Sequence, residues 1–428
     1  MIPDSASIEK NVLKKITPSK QDKKQIEDVI KALKVRVSTE IKKTTIPITL
    51  ELVGSTAKDT YIRSSVDIDL FLVFPSTTPR EILQENGLAI GRAVLEQQEE
   101  CFAEHPYVRG VFKGYKTELV PCYKIDKASQ KLSAVDRTPL HTKYVTEHLR
   151  ESQKKEVRLF KQFLKGIGCY GAEAEIEGFS GYLCEIMILR YGSFQKLIEN
   201  VQDWNYGEKL ALNDETYPEF TTPLTFIDPV DPERNVASAL SKEQFDVFVT
   251  ACMEYKKHPR LTFFFPNEPL PWSLEKIKKE LQIKEFIGIQ LPKPEIISEN
   301  LYPQVRKALR AIRELCERYD FTIQDANYYV DKHTVSIILQ PKTKKIPKIV
   351  LHTGPPTSLK KNAEEFIQKW NEHPRTRKKP YEKNNRLYVE IEREYTDIRT
   401  LLEEQVRTLN LGKNIDLMIF KGVTSVDK

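Results

Sequence analysis

Two carboxylates stand two residues apart in the run Val66-Asp67-Ile68-Asp69-Leu70-Phe71-Leu72-Val73-Phe74. Side chains alternate faces along a strand, so Asp67 and Asp69 project side by side from one face. Val66, Ile68, Leu70, Leu72 and Phe74 take the other face and can pack into a core; beyond Asp69 the run is apolar on both faces, as in a central strand. Like charges this close repel unless a cation lies between them. Upstream, Gly54-Ser55 ends another strand-like run, where glycine allows close backbone approach to a phosphate and Ser55 can donate a hydrogen bond to it. A third carboxylate, Glu118, precedes the apolar residues Leu119-Val120-Pro121-Cys122-Tyr123. A lone D-x-D is common on exposed strands, and Glu118 alone reads as a solvated strand residue. Together with the Gly-Ser turn they describe a nucleotidyl-transfer site. In such a site, converging carboxylates hold two divalent ions about 3.5–4 Å apart; one activates an attacking hydroxyl and the other neutralises a triphosphate. Magnesium suits an all-oxygen ligand set.

The elements that must position these residues follow from periodicity. Residues 4–43 read as helical, with Ile26, Val29, Ile30 and Leu33 at helical spacing. A strand is expected over Ile46–Val53, a second over 66–74, an amphipathic helix over Pro79–Gln98, and strands over Val108–Phe112 and Thr117–Tyr123. A helix between neighbouring strands makes this part α/β. From Thr138 to about Pro259 the pattern is mainly helical, broken by the polar loop Asp228–Val236, after which a helix starts near Ser241. Pro266-Asn267-Glu268-Pro269 and Leu291-Pro292-Lys293-Pro294 suggest a linker or short connecting unit. Beyond it, a strong helix over Asn300–Tyr319, strand-like runs at Phe321–Val330, Val335–Gln340, Lys348–Leu351 and Leu387–Arg393, and helices over Asn362–Trp370 and Asp397–Leu409 make the last part α+β.

A chain of 428 residues is long for one core, so several domains are expected. With 40% hydrophobic and 30% charged residues it is neither disordered nor disulfide-dense. The net charge of +6 is modest, but Leu261–Lys428 holds 30 Lys and Arg against 23 Asp and Glu, so the final third carries the whole excess. The six cysteines are scattered with no C-x-x-C pair, which argues for core thiols in a reducing compartment and against a zinc site. No stretch approaches the ~20 apolar residues of a bilayer span, and the N-terminus has no apolar signal core, so a cytoplasmic protein without a membrane partner is expected.

The Gly54-Ser55-Thr56-Ala57 turn with Asp67-x-Asp69 is similar to the signature of the polymerase-beta-like nucleotidyltransferases. The wider chain resembles the archaeal-type (class I) CCA-adding tRNA nucleotidyltransferases. The matching blocks are GSTAKDTYIRSSVDIDLFLVFP, HPYVRGVFKGYKTELVPCY, DRTPLHTKYV, VRLFKQFLKGIGCYGAEAEIEGFSGYLCE, DPVDPERNVASALS and LHTGPPTSLKKNAEEFIQKW, in order through nearly the whole chain. The resemblance implies a multidomain α+β protein: a polymerase-beta-like α/β head (1–137), a helical nucleotide-binding neck (138–260), and an α+β C-terminal body and tail that binds tRNA (261–428). It implies that Asp67, Asp69 and Glu118 are the catalytic, metal-holding carboxylates, with the acid type at the first and third positions exchanged relative to the common Glu and Asp. Gly54, Ser55 and Lys58 match triphosphate-contacting positions, the last more often Arg. His141, Lys161 and Tyr170 match nucleotide-binding positions in the neck, and Arg234 one that reads the incoming base. Each has a plainer reading: a core or capping histidine, a solvated helix lysine, a core tyrosine, a structural arginine.

The expected activity is template-independent addition of C, C and A to the 3′ end of tRNA from CTP and ATP, with two Mg²⁺ ions and release of pyrophosphate; a homodimer is carried as an expectation. The alternatives are a poly(A) or oligoadenylate polymerase, whose metal site would look the same, and a non-catalytic RNA-binding protein on a transferase fold. For the RNA surface, Arg306, Arg310 and Arg313 share a helix face, and Lys342-Thr343-Lys344-Lys345 and Arg375-Thr376-Arg377-Lys378-Lys379 read as basic loops. The plainer reading of all three is a solvated face.

Overall fold

The first helical stretch breaks where the sequence places Thr17-Pro18-Ser19. In the computed structural model, which describes residues 5–102, 104–213, 218–267, 285–415 and 423–425, helix α1 runs Ser5–Ile16 and α2 Lys20–Ile41. Proline cannot continue the hydrogen-bond ladder. Ser19 then caps α2 reciprocally, its hydroxyl accepting from the Asp22 N–H (3.1 Å) and its own N–H donating to the Asp22 carboxylate (2.7 Å). The chain forms two compact units, Met1–Glu268 and Pro269–Lys428.

The first unit is built on a five-stranded sheet of order β1-β2-β5-β4-β3. Its strands are β1 (Thr49–Val53), β2 (Asp67–Phe74), β3 (Glu96–Phe102), β4 (Pro106–Phe112) and β5 (Tyr115–Tyr123). Strands β2 and β5 are parallel, and the other neighbours antiparallel. Between β1 and β2 lies the short helix α3 (Gly54–Lys58), and between β2 and β3 lies α4 (Arg80–Val94). One face of the sheet buries Ile68, Leu70, Leu72 and Phe74 against Val29, Leu33 and Val37 of α2 and Leu83, Ile90 and Val94 of α4. The other buries Val53, Phe71, Val73, Val120 and Cys122, so β2 is apolar on both sides beyond Asp69. The expected helix over Pro79–Gln98 stops at Val94, because 96–102 forms edge strand β3. That strand is polar and mostly exposed, so it carries no alternation to mark it.

Helices α5 (Thr138–His148), α6 (Glu151–Gly166), α7 (Gly181–Tyr191), α8 (Phe194–Asn200) and α9 (Lys242–Lys257) complete this unit, with the short parallel pair β6 (Glu208–Leu210) and β7 (Leu224–Phe226). Their core is an aromatic cluster of Phe160, Phe163, Phe179, Phe194, Phe248 and Phe264, which also takes in Ile8, Val12 and Ile16 of α1. Each such ring buries a large apolar area.

In the second unit, β8 (Ile287–Pro292), β9 (Ile323–Val330), β10 (Thr334–Pro341) and β14 (Val423–Ser425) form a sheet of order β14-β8-β10-β9. It packs with α10 (Ser298–Arg318), whose Leu301, Val305, Ala308, Ile312, Leu315 and Cys316 are buried. A second sheet, β11 (Ile349–Pro356), β13 (Arg386–Glu392) and β12 (Thr376–Lys383), carries α11 (Lys360–Asn371), and α12 (Ile398–Gln405) joins the first core. Two expectations are corrected. Residues 287–292 are a paired strand and no linker, and Arg377 and Lys378 lie on edge strand β12 and not in a loop. Among the described residues, no helix is long and apolar enough to cross a membrane.

Candidate active site

The register of the central strands does most of the assembly. Asp69 lies directly beside Glu118 across the parallel β2–β5 pair, and Arg109 lies beside Glu118 on the other side. Asp67 is exposed, while Asp69 and Glu118 are half-buried. Burial, and then the neighbouring Glu118 and Asp67 charges, push the Asp69 carboxyl up to about 7. Arg109 Nε donates to Glu118 Oε1 at 2.8 Å, and its Nη2 to the Tyr107 hydroxyl at 3.1 Å. Among the described residues, no three carboxylate, histidine or cysteine groups gather closely enough to form a ready ion cluster. The donor set nevertheless fits a hard divalent ion: its donors are carboxylate oxygens, and Asp69 is a crowded acid whose ionised form a cation would stabilise.

Gly54 opens α3 at φ +72°, a left-handed conformation, and a Cβ there would overlap Asp69 Oδ2. Only glycine brings the turn this close to the carboxylate. The adjacent Ser55 is half-buried. The segment after α3 is clamped by Arg158 of α6, which donates to the Asp59 carbonyl (2.7 Å), the Asp59 carboxylate (2.6 Å) and the Tyr61 carbonyl (2.9 Å). Lys23 reaches the same carboxylate at 2.5 Å.

Lys58 and Lys161 come together on one buried carboxylate, Glu185 of α7. Lys58 Nζ donates to Glu185 Oε2, and Lys161 Nζ to Oε1 at 3.2 Å. Lys161 is 2% exposed, which rules out a solvated helix lysine. Burial pushes its ammonium down, but Glu185 more than offsets this and holds it above its ordinary range. Burial likewise pushes Glu185 up, and the two lysines overcome it and hold the carboxyl below its ordinary range. Tyr170 lies next to this cluster, its ring 5.3 Å from Lys165 Nζ, and burial pushes its hydroxyl up to about 12.

His141 and Arg234 meet at a second buried carboxylate, Asp228. Arg234 Nη1 donates to Asp228 Oδ2 at 2.9 Å, the Tyr182 hydroxyl to Oδ1 at 3.0 Å, and the Val230 N–H to Oδ1 at 3.1 Å. His141 Nε2 lies 2.8 Å from Oδ2. Burial raises Asp228, but these partners overcome it and hold the carboxyl at about 2. An ionised carboxylate can only accept, so Nε2 carries the histidine proton. Burial holds His141 below its ordinary value, so it is neutral at pH 7. Its ring stacks on Tyr182 at 4.1 Å, and Lys58 Nζ sits 6.0 Å from the centre of the same Tyr182 ring. Tyr182 therefore joins the two clusters. Glu185, Asp228 and Tyr182 are absent from the sequence-derived set. The signal for Glu185 was a lone acid within the apolar run Leu183-Cys184-Glu185-Ile186-Met187-Ile188.

Comparison with known proteins gives this arrangement its context. Residues 21–141 match the nucleotidyltransferase domain family, 155–265 the second domain of tRNA nucleotidyltransferases, and 284–425 the C-terminal domain of CCA-adding enzymes. The chain is 35% identical to the CCA-adding enzyme of Methanosarcina mazei over 422 residues, covering 97% of this chain and 92% of the relative. It is 36% identical to that of Methanothermobacter thermautotrophicus over 429 residues (97% and 92%) and 35% identical to that of Methanocaldococcus jannaschii over 413 (93% and 90%). The chain belongs to the CCA-adding enzyme family. It is thus a tRNA nucleotidyltransferase on a multidomain α+β scaffold, from a superfamily that works with divalent metal ions.

In the CCA-adding fold of this chain, the basic residues expected to meet RNA lie in the second unit. Arg310 and Arg313 are exposed on α10 and Arg306 is half-buried there. Arg313 pairs with Glu317 at 3.0 Å, and Arg306 donates to the Tyr328 hydroxyl at 3.3 Å. Lys344 and Lys345 follow β10, and Lys345 lies 4.0 Å from Asp397. Arg377 and Lys378 pair with Glu392 and Glu390 of β13, the latter at 3.5 Å.

Proposed function

We propose that this CCA-adding enzyme binds CTP or ATP along the line from the Lys58–Lys161 cluster to the Asp228 cluster, and adds C, C and A in turn to the 3′ end of tRNA. The tRNA 3′-hydroxyl attacks the α-phosphate in line and pyrophosphate leaves. The observation that carries this reading is the row Asp69–Glu118 with Asp67 on the same strand, the Gly54-Ser55 turn packed against Asp69, and two buried lysines, Lys58 at the end of that same short helix and Lys161 of α6, held on Glu185. Two Mg²⁺ ions held by Asp67, Asp69 and Glu118 would supply the acidity that activates the hydroxyl and the charge that neutralises the triphosphate.

Lys58, Lys161, the Ser55 hydroxyl and Tyr170 bind the triphosphate and orient its α-phosphate toward the carboxylates. Arg234, held by Asp228, presents its remaining donors to the base. His141 and Tyr182 fix the arginine by sharing that carboxylate. Cytosine N3 and adenine N1 can accept from such donors, whereas the N3–H of uracil and the N1–H of guanine would face a donor and stay unpaired. In the second unit, Arg306, Arg310, Arg313, Lys344, Lys345, Arg377 and Lys378 would follow the tRNA backbone by charge and shape. The test is the double variant Asp67→Asn, Asp69→Asn. It should abolish nucleotide addition while its affinity for tRNA stays within about twofold of the wild type; retained addition would refute the assignment.

A further inference from the structure

Glu185 is fully buried and both its oxygens are occupied. Oε2 takes Lys58, and Oε1 takes the Thr60 hydroxyl at 2.5 Å and Lys161 at 3.2 Å. Lys161 Nζ also lies 3.1 Å from Thr60 Oγ1 and 3.4 Å from the Thr60 carbonyl. Lys58 and Thr60 come from the segment between β1 and β2, whereas Lys161 and Glu185 come from α6 and α7. The carboxylate therefore ties the strand side of the site to its helical side.

The charge count is unusual for an interior. Two ammonium groups share one carboxylate, and Lys58 also acts on the Asp69 carboxyl, favouring its ionised form. Tyr170 and Cys184, beside it, are pushed up to about 12 by burial, and Tyr182 further still, so all three stay neutral near pH 7. Burying two ammonium groups against one shared carboxylate is costly, so the pair favours a further anionic oxygen. The first turn of α7 faces the same place: a Cβ on Gly181 would sit 3.2 Å from the Tyr170 hydroxyl and 3.7 Å from Lys161 Nζ. The helix dipole there also favours negative charge, although the Leu183 N–H is already taken by the Ser180 hydroxyl.

We propose that Glu185 is a positioning residue for the triphosphate: it holds Lys58 and Lys161 at a fixed separation so that one polyphosphate chain meets both, and it locks the α3–β2 segment onto α6 and α7. The proposal rests on the reading of Lys58 and Lys161 as triphosphate ligands. Without the carboxylate, the two ammonium groups repel, one sheds its proton, and the fixed geometry is lost.

Glu185→Gln keeps the size of the side chain and an acceptor for Thr60. Binding of inorganic tripolyphosphate to the full chain, measured by calorimetry without added metal, should weaken by about tenfold or more, as expected for loss of charged hydrogen bonds. KM for CTP and ATP should rise by a similar factor, with kcat changing less. A purely structural role would instead lower Tm and leave the affinity of the folded protein unchanged. Thr60→Val, which removes one hydroxyl from the network, should weaken tripolyphosphate binding about threefold to tenfold. It decides the matter if Glu185→Gln does not fold. Folded variants that bind tripolyphosphate as tightly as the wild type overturn the role of Glu185 while leaving the nucleotide reading intact. A wild-type protein that does not bind it overturns both.

Discussion

Replacing Asp228 with asparagine should loosen both the helical part of the first unit and the choice of nucleotide. The side chain is fully buried and serves His141, Arg234, Tyr182 and the Val230 N–H together. Its carboxyl is held at about 2 against an ordinary 3.8. At ~1.4 kcal/mol per tenfold, that difference is worth roughly 2–3 kcal/mol of folding free energy. Because the group is buried, solvent does not screen this contribution away. The sign follows from the depressed value: the contribution is complete above about pH 4 and is lost as pH falls toward 2. Asparagine has one accepting oxygen, so its NH2 must face either His141 and Arg234 or the Tyr182 hydroxyl and the Val230 N–H, and the charge opposite Arg234 is lost; the loss at neutral pH should be about 2–3 kcal/mol, or about 5–10 °C in Tm for a unit of this size. Arg234, no longer held, should discriminate less well, and the preference for CTP over UTP should fall about tenfold or more. Differential scanning fluorimetry gives the first quantity and single-nucleotide incorporation gives the second. A Tm within 1 °C of wild type together with unchanged selectivity would refute the reasoning.

Two further outcomes follow from the carboxylate row. Gly54→Ala places a Cβ against Asp69 at a positive φ, so addition should fall by at least about a hundredfold with a stability loss of only about 1–3 kcal/mol, read from steady-state rates and Tm; near-normal activity would show that the close approach is dispensable. Asp69 is pushed up to about 7, so its ionisation opposes folding: the ion-free protein should lose stability as pH rises from about 4 through about 7. The rise in Tm on adding Mg²⁺ should then be larger at about pH 8 than at about pH 5.5, and equal rises at both would contradict the arrangement.

The residues that were legible in the sequence are those whose neighbours are local. Strand β2 announces itself by alternation up to Asp69 and an apolar run beyond it, and the core stripe of α10 by helical spacing. Strands β3 and β12 were not legible, because exposed edge strands rich in Glu, Gln, Lys and Arg have no buried face to leave a period. Strand β8 was hidden by the prolines at 292 and 294, which read as breakers although Pro292 merely ends the strand. The same holds in the site. Asp67, Asp69 and Glu118 could be named from type and spacing, but Glu185 acts through Lys58 and Thr60, more than a hundred positions away in the chain. Asp228 joins His141 from 87 positions upstream. Arg109 is visible only through register: it matters because β4 places it beside Glu118. Where resemblance supplied a residue without a physical reason, the structure gives one: Lys161 can be buried because it pairs with Glu185, a carboxylate it shares with Lys58.

The most direct test of the central claim uses a tRNA that ends before CCA, labelled CTP and ATP, and Mg²⁺, with products resolved at single-nucleotide length. The account predicts two additions from CTP, then one from ATP, then arrest. Long adenosine tails, or no extension, would contradict it.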